Sequence, residues 1–280
     1  MKTLVLANQK GGVGKTAVAT LLVHHLAQQG RRVLAIDFDH QGNFSGSLAR
    51  SKRTVPAGVM AAQLLSEPVC SLPAADLVLV KGDWALSMLE RQPTLHTPFA
   101  RNLRAFLAAM GAQFDLCVID TNPSPDIRVI AALASADFVL SPIQLNQEAM
   151  EGVHSLLNHD RAGVRKIKAL LNPKLQLLGL LPTMVESTPF QRANFVQIVQ
   201  RYYPLLIRTG DRPGDIASMP RRSAIAEAQA SGEVLWEMKK TAARDAAHEI
   251  EPTLRKLSTL LTAAPSLSPE PAGQAIGTRP

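Results

Sequence analysis

The chain has 280 residues, of which 46% are hydrophobic, and carries a net charge of +7 with a pI near 9.7. That apolar content can bury one large core, and the basic balance raises nucleic acid as a partner. Two cysteines, Cys70 and Cys117, stand far apart without metal-type spacing, which excludes a disulfide framework. The first apolar run is too short for a signal peptide or a membrane span, so the chain reads as cytoplasmic.

In chain order, an apolar strand over Thr3–Ala7 meets the turn Lys10-Gly11-Gly12-Val13-Gly14-Lys15-Thr16, and a helical pattern follows from Thr16 to Gln29, stopped by Gly30. Strand, glycine loop and helix in this order form the context of a phosphate-binding loop. Gln9 stands where the ordinary motif has its first glycine. Glycines let backbone N–H groups fold around an anion, and the helix N-terminus adds partial positive charge. Lys15 is placed to neutralise terminal phosphates and the Thr16 hydroxyl to ligate Mg²⁺. Lys10 has no evident task within its own subunit.

A second buried-type strand runs from Arg32 and ends in Asp37 and Asp39, before the turn signal Gln41-Gly42-Asn43. Residues i and i+2 share a strand face, so both carboxylates are expected in one cleft. Residues 51–98 are hard to read, broken by Pro56, Pro68, Pro73 and Pro98 around a strand at Asp76–Val80. A further strand, Phe114 to Asp120, has the form of a Walker B site whose carboxylate orders Mg²⁺. Cys117 within it reads as core. His24, His25, His154 and His159 form no metal set and read as helix surface. In the C-terminal third, Arg221, Arg222, Lys239, Lys240 and Arg244 cluster, the last two one helical turn apart. Residues 1–262 read as one domain, and 263–280, rich in Pro, Ser, Gly and Ala, as a disordered tail without the amphipathic helix that membrane attachment needs. Strands alternating with helices predict an α/β fold of the P-loop NTPase type, a mostly parallel twisted sheet with helices on both faces.

Taken together, Lys10 to Thr16, the segment Asp37-Phe38-Asp39-His40-Gln41-Gly42-Asn43 and Val118-Ile119-Asp120-Thr121 resemble the deviant Walker A ATPases of the ParA, Soj and MinD group. Ser141 to Gln144, Met150 to Gly152, Gly179 to Met184 and Ile225 to Gly232 fall where that family has similar segments. The resemblance implies that ATP and Mg²⁺ are bound, with residues 10–17 (Lys10, Gly11, Gly12, Val13, Gly14, Lys15, Thr16 and Ala17) around the nucleotide. It implies that Lys10 reaches the partner subunit's nucleotide in an ATP-sandwich homodimer, that Asp39 orients the attacking water, and that Thr16, Asp37 and Asp120 lie at the metal. It further implies nonspecific double-stranded DNA binding through the basic C-terminal cluster, nucleoid association, and weak hydrolysis stimulated by a ParB-like centromere-binding protein. Ala17, His40 and Asn122-Pro123-Ser124-Pro125-Asp126 depart from the family pattern, and the last is expected to act as a nucleotide-sensing switch loop. Two cysteines placed in this way argue against an iron–sulfur cluster like that of the nitrogenase iron protein. The chain enters the ATPase core at once, so no N-terminal helix-turn-helix module is expected. Competing readings are a relative that positions another cargo, a DNA-binding repressor or scaffold, and a biosynthetic phosphoryl-transfer enzyme on the same fold.

Overall fold

Alternating side chains along the strands set the layering of the molecule. The computed structural model describes residues 1–69 and 71–263; Cys70 and residues 264–280 of the expected tail lie outside them. The strands are β1 (Lys2–Leu6), β2 (Val33–Phe38), β3 (Val55–Met60), β4 (Leu77–Lys81), β5 (Leu116–Thr121), β6 (Phe138–Gln144) and β7 (Gln176–Thr183). They form one seven-stranded sheet in the order β3-β4-β2-β5-β1-β6-β7, and every neighbouring pair is parallel. Leu4, Leu6, Val33, Ala35, Leu116 and Val118 face one core, and Val5, Leu34, Ile36, Cys117 and Ile119 the other. Strands buried on both sides are apolar throughout, which is why they read as continuous runs.

Among the described residues, ten α-helices cover the two faces. On one side lie α1 (Lys15–Gln28), α2 (Asn43–Arg50), α9 (Ser223–Ser231) and α10 (Thr241–Ala263). The other side holds α3 (Ala61–Ser66), α4 (His96–Ala109), α5 (Ile127–Ser135), α6 (Ala149–Asn158), α7 (Val164–Leu170) and α8 (Pro189–Tyr202). Gly30 at φ 74° ends the first helix as expected, since only glycine takes that left-handed conformation without strain. The strand expected at Asp76–Val80 is β4, displaced by one residue. Its neighbour β3 escaped notice because Pro56 and Gly58 interrupt it, and a register shift separates Pro56 from Met60. An edge strand tolerates such a proline, because its missing N–H faces no partner.

One expectation fails here. His24 is not on the surface of α1 but 5% exposed in the core. Burial, reinforced by the positive charge of Arg53, pushes its imidazole down to about 4. The unfolded chain therefore binds a proton that the folded chain refuses, so His24 destabilises the fold as pH falls from about 6.5 towards 4. Across that window urea unfolding of the wild type is expected to lose on the order of 3 kcal/mol more than His24→Leu. Parallel pH profiles of the two proteins would exclude a buried neutral histidine.

Candidate nucleotide site

The site lies at the C-terminal ends of β1, β2 and β5, where an open parallel sheet leaves its crevice. After β1 the chain is pinned by Asn8, whose Nδ2 donates to Pro142 O at 2.9 Å and whose Oδ1 accepts from Lys10 N at 2.9 Å. Gly12 and Gly14 take φ of 73° and 83°, values that side chains resist. A Cβ built on Gly11 or Gly12 meets no atom within 4 Å, so the loop presents bare backbone there. Thr183 holds the loop from the far side, with its hydroxyl 2.8 Å from Val13 O and 3.0 Å from Ile143 O.

Lys15 opens α1 and is 7% exposed. Its ammonium donates to Asn8 O at 3.1 Å and Lys10 O at 3.2 Å. Burial lowers its pKa, against the pull of Asp120 and Asp39. Next to it, Thr16 Oγ1 donates to Asp120 Oδ2 at 2.7 Å, while the buried Asp120 Oδ1 has no hydrogen-bond partner among the described residues. Asp120 is pushed up to about 8, first by burial and then by the charge of Asp37. A hydroxyl paired with a carboxylate that keeps one buried oxygen free is a donor set suited to a hard divalent cation and its waters. No group of three or more His, Cys, Asp or Glu among the described residues could hold a metal by itself.

Asp37 and Asp39 do not share one role. Asp37 is fully buried and is the register partner of Asp120, but its oxygens serve the next turn. Oδ2 accepts from Ser45 N at 2.8 Å and Ser45 Oγ at 2.7 Å, and Oδ1 from Asp39 N at 3.0 Å. Desolvation pushes it up to about 6 despite those bonds. Asp39, past the strand end, lines a cleft of about 480 Å³ together with Gly12, Lys15, Thr16 and Asn43. The expectation that both carboxylates project into the cleft holds for Asp39 alone, because the left-handed Gly42 turns Ser45 back onto Asp37. Gly82 matters here and gave no sequence signal. A Cβ on it would lie 2.5 Å from Asp39 O, so only glycine lets the chain after β4 pass beneath this turn.

Lys10 does have a contact within its subunit, an ion pair with Glu148 at the start of α6. Beyond Gly14 an apolar cavity of about 450 Å³ adjoins the cleft, walled by Val18, Met184, Met219, Pro220 and Ile225. No local signal in the sequence marks such a wall, since its parts come from α1, the residue after β7, the approach to α9 and α9 itself. Arg221 lines this cavity and faces Glu186 at 3.7 Å, Arg222 pairs with Glu249 at 2.8 Å, and Lys240 pairs with Glu227. Among the described residues, Lys239 and Arg244 pair with no carboxylate, and Arg244 Nη2 donates to Lys239 O at 3.1 Å.

A glycine loop between β1 and α1, with a buried carboxylate from β5 against its threonine, defines a P-loop nucleotide-binding protein. Residues 1–177 match the family model described as an AAA domain. The chain is 35% identical over 257 residues to Protein IncC of Escherichia coli, covering 89% of this chain and 67% of that protein. It is 39% identical over 194 residues to the chromosome-partitioning ATPase Soj of Thermus thermophilus, covering 67% and 71%. Among solved structures, cobyrinic acid a,c-diamide synthase from Mycobacterium smegmatis, with bound ATP analog and magnesium, aligns with a TM-score of 0.66 at 28% identity, covering 89% of this chain and 95% of that one. An ATP complex of a McdA variant from Cyanothece shares the fold, with a TM-score of 0.71 at 23% identity over 92% and 96%. The chain belongs to the AAA domain family, within its ParA, Soj and MinD group of P-loop partition ATPases. No helix among the described residues is long and apolar enough to cross a membrane.

Proposed function

We propose that this protein is a Mg²⁺-dependent ATPase of DNA partition, which dimerises on ATP, binds double-stranded DNA without sequence preference, and is released when a ParB-like partner stimulates hydrolysis. The observation that carries the reading is the Thr16–Asp120 pair, with its free buried oxygen, set beside Lys15 at the mouth of a bare glycine loop. Gly11, Gly12, Val13 and Gly14 would cradle the phosphates through backbone N–H groups, Lys15 would leave its two carbonyl partners for phosphate oxygens, and Thr16 with Asp120 would hold the metal. Magnesium, when bound, supplies neutralisation of phosphate charge. Asp37 supports the site through the Asp39 turn, and Asp39 orients water. The apolar wall of Met184, Met219 and Pro220 suits the flat face of a base. Lys10, once parted from Glu148, is free for the nucleotide of a second subunit. The kinship with IncC and Soj supports the partition role and, with it, nucleoid association.

Of the basic residues, Lys239 and Arg244 are the best placed for phosphate contacts, being paired with no carboxylate among the described residues, whereas Arg221 also walls the nucleotide cavity. DNA binding measured by anisotropy across salt, with ATP, ADP and no nucleotide, tests this. Affinity is expected only with ATP and should fall steeply with salt. Lys239→Ala with Arg244→Ala is expected to lower the salt slope by about 3 to 4 per dimer without touching nucleotide affinity. Equal binding in all three states would remove the nucleotide switch, and no binding in any state would favour a relative that positions another cargo.

A further inference from the structure

A side-chain contact joins the turn that carries Asp39 to the start of α5, just past the loop after β5. Asp126 and Arg128 are buried there, at 7% and 6% exposure. The Asp126 carboxylate caps α5 by accepting from Arg128 N at 3.0 Å, and it also accepts from Arg128 Nε and Asn122 Nδ2, each at 3.0 Å. Arg128 Nη1 then leaves this cluster and reaches His40 Nδ1 at 3.1 Å. A guanidinium only donates, so Nδ1 is the acceptor and the ring proton sits on Nε2. The atom 2.8 Å from His40 Nε2 is Gln41 Nε2, which only donates, so a ring proton on Nε2 requires the nitrogen and oxygen of the Gln41 amide to be exchanged. The ring also meets Trp84 edge to face, with centroids 5.7 Å apart at 74°. Asp39, the preceding residue, accepts from Gln41 N at 3.0 Å and has Oδ1 3.6 Å from His40 Nδ1.

We propose that His40 is a positioning residue for hydrolysis: by accepting from Arg128 it ties the Asp39 turn to the start of α5 and, through Asp126, to the end of the loop 122–126, so that the placement of the Asp39 carboxylate follows the Asp126–Arg128 pair. The inference rests on the reading of Asp39 as the carboxylate that orients water. His40 itself does not line the cleft with Asp39, and it acts through the backbone it shares with Asp39. The two ends of the link differ in rigidity. Arg128 is fixed in a buried cluster satisfied by Asp126, whereas Asp39 stands on a turn past the end of β2, and a displacement of about one ångström in such a group is enough to slow a reaction strongly.

The test compares His40→Ala, His40→Asn and Asp39→Ala as full chains with Mg²⁺ and ATP, reading kcat and nucleotide affinity separately. His40→Ala is expected to lower kcat roughly ten- to a hundredfold while leaving ATP affinity unchanged. His40→Asn places an amide oxygen near the position of Nδ1 and is expected to keep most of the wild-type rate, a rescue that simple loss of packing against Trp84 would not give. In an Arg128→Gln background, His40→Ala is expected to add nothing further, since the bond is already gone. Wild-type kcat in His40→Ala, an Asn variant as slow as the Ala variant, or full additivity with Arg128→Gln would each overturn the link. Wild-type turnover in Asp39→Ala would overturn the reading of Asp39 itself, and the two failures are told apart because Asp39→Ala is assayed alongside.

Discussion

Asp39→Ala is expected to bind ATP with wild-type affinity and to hydrolyse it about 10²- to 10⁴-fold more slowly, the range lost when a positioned acid–base group is removed. The expectation follows from where Asp39 stands. It lines the cleft with Lys15 and Thr16 but hydrogen-bonds neither of them, and its bond partner is the N–H of Gln41 in its own turn. Removing it leaves the Lys15 contacts and the Thr16–Asp120 pair in place, so ground-state binding is expected to survive while the proposed orienting of water in the transition state is lost. Single-turnover hydrolysis alongside a nucleotide titration separates the two effects. A variant that loses binding and rate in equal measure would show Asp39 to be a ground-state ligand instead.

Asp120→Asn is expected to move stability and nucleotide binding in opposite directions. Burial and the neighbouring Asp37 raise the Asp120 carboxyl to about 8, far above its unfolded value. A group raised on folding contributes stability below its unfolded pKa, and that contribution is lost as pH rises through the folded pKa. In metal-free buffer above about pH 8 the wild type therefore holds an ionised carboxylate whose cost the amide removes. The Asn variant is expected to be more stable there by a few kcal/mol, raising the melting temperature by roughly 5–10 °C, and about equal near pH 4. The loss of attraction to Lys15 offsets part of that gain. With Mg²⁺ and ATP the order is expected to reverse, because on the proposed role of Asp120 the ligand stabilises the wild type through its oxygens. Melting curves at about pH 4 and pH 9, with and without Mg²⁺–ATP, read both effects. A less stable Asn variant at the alkaline end would mean that the ionised carboxylate is satisfied by the fold.

Much of the site was legible because its chemistry is local in sequence. Gly12 and Gly14 need positive φ wherever they occur, Lys15 and Thr16 follow them on the first turn of α1, and Asp120 ends a run of strand residues, so spacing alone announced each. Period and turn chemistry likewise announced β1, α1, β2, β4 and β5 to within a residue or two. Local pattern was least informative at β3, where Pro56 and Gly58 break the alternation of an edge strand, and at His24, whose neighbours on α1 do not reveal that Arg53, Val55 and Leu77 lie beside it.

The sequence by itself determined the class of protein, the parallel α/β architecture and the residues of the phosphate loop, since these depend on backbone conformations and periodicities that each segment carries alone. Only the tertiary structure decided which acids face the cleft. Asp37 and Asp39 have the same spacing signal, yet a turn at Gly42 sends Ser45 back to occupy one of them and leaves the other on the cleft wall. Tertiary structure alone also brought Thr183 onto the loop at Val13, Glu148 onto Lys10, Gly82 beneath Asp39 and Arg128 onto His40. Each of those contacts joins residues far apart in the chain, and a parallel sheet with its crossover helices, not any local preference, sets the distance between them.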